Sequence, residues 1–172
     1  TVEGLVIDGK RPNFDEPKEL GLEGVAESKI RQALDLIKGS ELEGSVILVE
    51  DSGIFLDAFP EWPGAQSSDV EKEIGLEGII DRVNESGNSG AEYRAVAILS
   101  NGNQVWKSQG ICRGKISNQP RGSNGFGYDP IFIPEEGGGG TFGELGKEIK
   151  NQISHRKKVM QGLSNLLKSP SR

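Results

Sequence analysis

From Leu22 onward the apolar residues Val25, Ala26, Ile30, Ala33, Leu34 and Ile37 recur at intervals of three and four. That spacing lays them along one stripe of an α-helix. Gly39 follows where a left-handed residue would close such a helix. The next apolar run has no polar gaps. Ser45-Val46-Ile47-Leu48-Val49 is short, β-branched and preceded by Gly44, which predicts a strand buried on both faces of a sheet. A second helix is predicted from about Val70 to Val83, broken or kinked near Gly75 and Gly78. Tyr93 to Leu99, the pair Asn101-Gly102 and the run Gln104 to Ile116 predict a β-hairpin, with Asn-Gly supplying the positive φ angles of its turn. Tyr128 to Pro134 reads as a further strand and Gly137 to Gly140 as a loose hairpin tip. The tail from Ser154 to Lys168 reads as a helix with Val159, Met160, Leu163, Leu166 and Leu167 inward.

Helices interleaved with strands and hairpins make the fold class α/β, with a mixed sheet rather than a doubly wound one. The length of 172 residues suits one domain, 1–172, and no internal repeat is visible. Composition adds exclusions. With 34% hydrophobic and 27% charged residues of both signs, the chain can bury a core and is not disordered. No apolar run approaches the roughly 18 residues a membrane span needs, and no basic-then-apolar leader precedes the first strand pattern. A cytoplasmic location with no membrane partner is expected. The single cysteine, Cys112, can build neither an internal disulfide nor a thiolate metal cluster. A net charge of −6 argues against general nucleic-acid binding but leaves room for a local basic site.

Three segments carry candidate chemistry. Glu50 and Asp51 directly follow the predicted strand, and carboxylates at a strand end suit Mg²⁺ held jointly with substrate phosphates. The alternative is a polar turn in which Asp51 makes an Asx hydrogen bond and Gly53 relaxes the backbone. Ser154 can cap the last helix, yet His155, Arg156, Lys157 and Lys158 follow it at the end the macrodipole disfavours for cations. A polyphosphate bound at the exposed amides would explain them, with Lys150 adding a further positive group. A solvated charge run is the competing reading. Gly125-Phe126-Gly127-Tyr128-Asp129-Pro130 can stack a purine on a ring while Asp129 or nearby backbone reads the base edge; it can equally be a glycine turn with its aromatics in the core. Gly137 to Gly140 is not a P-loop, because no Gly-Lys-Ser/Thr follows.

In this order the segments Glu50-Asp51-Ser52-Gly53, Gly125 to Pro130 and Ser154-His155-Arg156 closely resemble the inosine/xanthosine triphosphate pyrophosphatases, the Ham1 family. Trp62-Pro63-Gly64 with Ser67, Arg121-Gly122, Thr141-Phe142 with Glu144-Leu145, and Lys150 extend the likeness, which covers about Glu16 to Leu167 and is nearest to archaeal members. The resemblance implies an elongated mixed β-sheet flanked by helices and usually a homodimer. It implies Mg²⁺-dependent hydrolysis of non-standard purine nucleoside triphosphates (inosine, deoxyinosine and xanthosine triphosphates) to the monophosphate and pyrophosphate. By the same resemblance Asp51 is magnesium ligand and general base, Ser52 touches the substrate, and Phe126, Gly127, Tyr128 and Asp129 recognise the base. Lys150, His155 and Arg156 hold base and phosphates. Two departures stand out. Thr1 to Pro17 contains no counterpart of the family's Thr/Ser-x-Asn-x-x-Lys phosphate loop, so an N-terminally incomplete copy is expected. Gly24 stands where the resemblance places a magnesium-binding glutamate, and Glu23 or Glu27 would point about 100° or more away on an ideal helix. The alternatives are a catalytically impaired nucleotide-binding homologue and, more remotely, an RNA-binding or scaffold protein that uses the basic last helix.

Overall fold

The computed structural model describes residues 12–168. Its first helix, α1 (Gly21–Ile37), buries the predicted stripe Leu22, Val25, Ala26, Ile30, Ala33 and Ile37, and Gly39 takes a φ of 73° just beyond it. Then come β1 (Ile47–Leu56), β2 (Phe59–Pro63), α2 (Ser67–Ser86), β3 (Gly90–Ser100), β4 (Val105–Ile116), β5 (Phe132–Pro134), α3 (Lys147–Ile153) and α4 (His155–Lys168). The sheet runs in the order β2-β1-β3-β4-β5, and each of these pairings is antiparallel. Helices cover both of its faces, as expected, and no helix among the described residues is long and apolar enough to cross a membrane. Of Thr1 to Pro17, in which the sequence shows no counterpart of the phosphate loop, residues 1–11 lie outside the described residues.

Alternation along the strands sorts side chains to the two faces. Ile47, Phe55, Val96 and Ile98 meet the α1 stripe on one face. Ala95 and Ala97 meet Val159 and Leu163 of α4 on the other. That second face continues into the main core of Ile54, Leu56, Tyr93, Cys112, Phe132 and Phe142, closed by Val70, Ile79, Ile80 and Val83 of α2.

Several elements differ from their sequence reading. The predicted strand Ser45 to Val49 does not stop before the acidic segment. Every residue from Ile47 to Leu56 is paired with β3, so Glu50 to Gly53 lie inside β1 rather than in a turn after it. Nor is the strand buried on both faces: Val46 is exposed and Val49 half-buried. Among the described residues, β2 covers the outer edge of β1 only at Phe55 and Leu56. In α2 the kink falls at Gly75, with φ 67° and ψ 178°, while Gly78 stays helical. The hairpin turn is a four-residue loop, Asn101 to Gln104, in which only Gly102 has positive φ. Asn101 Oδ1 accepts from the amides of Asn103 and Gln104 and closes that loop. Strand β5 begins at Phe132 rather than Tyr128, because Phe126 to Ile131 form successive hydrogen-bonded turns. In α4 only His155, Val159 and Leu163 are buried; Met160, Leu166 and Leu167 face outward. A narrow i, i+4, i+8 stripe suffices there because the helix lies directly on β4. A Cβ at Gly110 would collide with the His155 carbonyl and the Val159 nitrogen.

Candidate active site

The glycine-rich turn, the α3–α4 junction and the middle of β1 enclose a cavity of about 640 Å³. The turn is built around one carboxylate. Asp129 is 2% exposed, accepts from the Phe126 amide at 2.8 Å and the Tyr93 hydroxyl at 3.4 Å, and is ion-paired with Lys150. Gly125 has φ 79°, and a Cβ there would strike the Asp129 carboxylate, so glycine is required at that position. With its acceptors committed inside the protein, Asp129 shapes the turn and orients Lys150. Tyr128 lines the cavity but is 3% exposed, with its hydroxyl donated to the Ser67 carbonyl at 2.8 Å. Phe126 is the outward ring. It is 66% exposed, with the Lys150 ammonium 5.0 Å and the Arg156 guanidinium 5.3 Å from its centroid. Gly127 completes the turn with φ 60° and lines the cavity.

The cationic start of α4 divides into unlike parts. Ser154 Oγ accepts from the Lys157 amide at 3.3 Å, the expected cap. His155 is not one of the exposed positive groups expected there. It is 5% exposed and stacks on Tyr93 with centroids 4.6 Å apart and planes 10° apart. Burial first, then Arg156 and Lys150, push its pKa down to about 3, so it is neutral. Among the described residues its buried Nδ1 has no hydrogen-bond partner. Lys158 turns away to Glu136 at 2.6 Å. Arg156 alone of this run reaches β1, with Nε 3.2 Å from Glu50 Oε1 and a terminal nitrogen 3.1 Å from Ser52 Oγ.

Asp51 and Glu50 do not form the expected metal pair, because successive strand residues face opposite sides of a sheet. Glu50 and Ser52 share the α4 face with Arg156, whereas Asp51 points to α1. There its Oδ1 lies 2.8 Å from Lys29 Nζ, which is also 2.7 Å from Glu16 Oε1. Burial outweighs Lys29 and holds the Asp51 carboxyl above its ordinary value. Burial opposes the Lys29 ammonium too, but its hydrogen bonds to Asp51 and Glu16 keep it above the usual lysine range. Glu23 and Glu27, the suggested substitutes for a glutamate at Gly24, are both ion-paired with Lys107. Among the described residues no three His, Cys, Asp or Glu side chains are grouped to hold a metal. Glu16 and Asp51 nevertheless converge on one cationic point, and Mg²⁺ is commonly bound by one or two carboxylates together with substrate phosphates. The oxygen chemistry of the pair suits such an ion, with the Lys29 ammonium standing between the two carboxylates.

Lys29 and Glu16 were not among the sequence candidates, though one signal was available. Lys29 sits four residues after Val25 and four before Ala33, inside the apolar stripe of α1. A lysine there must find a carboxylate partner.

Comparison with known proteins bears on the family and the fold. The model of the Ham1 family matches residues 3–166. A dITP/XTP pyrophosphatase of Pyrococcus horikoshii is 41% identical over 132 residues, 75% of this chain and 70% of that protein. One from Pyrobaculum aerophilum is 40% identical over 120 residues, 70% of this chain but only 64% of the relative, so the alignment spans less than two thirds of that protein. One from Thermococcus kodakarensis is 38% identical over 165 residues, covering 96% and 85% of the two chains. Among solved structures, the Staphylococcus aureus Ham1 protein superposes with a TM-score of 0.78 at 26% identity, covering 90% of this chain and 80% of its own. A match along nearly the whole chain, on a fold that brings the three motifs to one β-strand and its neighbours, places this protein in the Ham1 family.

Proposed function

We propose that this chain hydrolyses non-standard purine nucleoside triphosphates to the monophosphate and pyrophosphate with Mg²⁺ as cofactor. The observation that carries the reading is the position of the exposed Phe126 ring between two cations, beside the β1 segment that holds Asp51. A purine lies on Phe126. Lys150, oriented by Asp129, has donors left for a 6-oxo group, which adenine lacks; an amine at that position leaves the ammonium unpaired and is rejected. Arg156 and Ser52 meet the phosphates on the α4 face. The rest of the polyphosphate crosses the outer edge of β1, which takes no described strand at Ser52, and reaches Lys29 on the α1 face.

Asp51 there takes a proton from water as its oxygen bonds to the α-phosphorus, and the bond to the bridging oxygen breaks to release pyrophosphate. When bound by Glu16 and Asp51, Mg²⁺ neutralises phosphate charge and orients the polyphosphate. Homodimerisation and a cytoplasmic role in clearing the nucleotide pool belong to the same reading, and analytical ultracentrifugation tests the dimer.

The experiment is pyrophosphate release from inosine, deoxyinosine, xanthosine and adenosine triphosphates, with and without Mg²⁺. Release from the first three that requires Mg²⁺, with little from the last, is expected. No release from any of them overturns the enzymatic reading, and binding without release would favour an impaired nucleotide-binding homologue.

A further inference from the structure

Tyr93 has no role in the chemistry described so far, yet it touches both the turn and the helix start that line the purine site. It stands in the middle of β3, in the main core, with the Phe132 ring 4.7 Å away at 67° and the Phe142 ring 6.1 Å away. This packing fixes the plane of its own ring. One side of that ring lies flat on His155, the first residue of α4. The hydroxyl reaches Asp129, which in turn holds the Phe126 amide and Lys150. His155 is buried. Among the described residues no hydrogen bond is found to its Nδ1 that would fix how the imidazole is turned, so the flat stack supplies the constraint.

We propose that Tyr93 is the positioning residue of the purine site: its ring sets the orientation of His155, its hydroxyl steadies the Asp129-centred turn, and together they govern which base is accepted. The proposal rests on the purine reading of the cavity. Discrimination by hydrogen bonding demands that donors and acceptors be held within a fraction of an ångström. A rigid sheet residue touching both the helix start and the turn provides that stiffness. Burial, and then the neighbouring Asp129 carboxylate, raise the phenol well above its ordinary pKa, so it remains a donor throughout the working range.

The chain contains one histidine, so its imidazole proton signals can be read by NMR without assignment. In the unmodified protein these signals are expected well upfield of a free histidine because of the Tyr93 ring current. Tyr93→Phe keeps that displacement and Tyr93→Leu loses it. In turnover, Tyr93→Leu lowers kcat/KM for inosine triphosphate by about tenfold or more while lowering that for adenosine triphosphate far less, which narrows the preference. Tyr93→Phe restores most of the preference, and the remaining deficit measures the hydroxyl.

A folded Tyr93→Leu protein with wild-type preference overturns the proposal. So do His155 signals at free-histidine positions in the wild type or in Tyr93→Phe, and these two samples carry the test if the leucine variant does not fold. Addition of inosine monophosphate separates the two readings. If it moves no His155 signal, the purine assignment of the cavity fails. If it does, and the leucine variant discriminates normally, only the role of Tyr93 fails.

Discussion

Burial displaces the titration of two side chains of this site, in opposite senses. His155 is neutral when folded, its pKa pushed down to about 3 by burial, whereas an unburied histidine titrates near 6.5. The unfolded chain therefore binds the extra proton first as pH falls. This contribution to stability is complete above pH 6.5 and is lost progressively as pH drops from 6.5 toward 3. Thermal unfolding should show a lower Tm at pH 5 than at pH 7, with a smaller difference in His155→Gln; equal differences would mean that His155 is not the group responsible. Asp51 is displaced in the other sense, above the ordinary aspartate value. Replacing it with Asn keeps its shape but removes the base, and turnover should fall by about two to four orders of magnitude with the fold intact. Pyrophosphate release together with far-ultraviolet circular dichroism checks this, and undiminished activity would place the base elsewhere. Asp51, Arg156 and Phe126 could be singled out in the sequence because each sits in a compact motif. Glu16 and Lys29 were harder to read, since 22 residues separate Lys29 from Asp51 and only the fold brings them together.

Elements with a strong period were legible and those without one were not. The α1 stripe and the β3–β4 hairpin follow from repeats of three to four and from Asn-Gly. β2 has five residues, two of them proline, and α3 is a seven-residue helix with no buried residue, so neither offers a pattern to detect. β1 was cut short because Glu50-Asp51-Ser52-Gly53 looks like a turn until the β3 ladder is seen to pair with it residue by residue. The seat of α4 on β4 depends on backbone contact that no periodicity reveals. Gly110→Ala should therefore cost about 1 to 3 kcal/mol through forced separation of α4 from the sheet, read as a lower midpoint in urea. Because the colliding group is the His155 carbonyl, the same substitution should also raise KM for inosine triphosphate. A destabilised variant with unaltered KM would show that the helix start tolerates displacement.

On the scale of the molecule, the sheet divides the site in two. Phe126, Lys150 and Arg156 gather on the α4 face around the base pocket, while Asp51, Lys29 and Glu16 gather on the α1 face. The outer edge of β1 is the shared boundary. Such a division predicts separable binding. Inosine monophosphate should lose affinity in Phe126→Ala and be nearly indifferent to Lys29→Met; inorganic pyrophosphate should show the reverse. For the monophosphate, the double variant should be additive to within about 0.5 kcal/mol, as for groups that share no partner. Turnover should behave otherwise, because a triphosphate must engage both faces at once and misplacement at either one removes the attack geometry at the other. Isothermal titration of the two ligands into the four proteins, alongside kcat/KM for inosine triphosphate, tests both halves of this statement. Strong coupling in monophosphate binding would mean that base and polyphosphate are held on one face of the sheet, and that Asp51 reaches the substrate by a path other than the β1 edge.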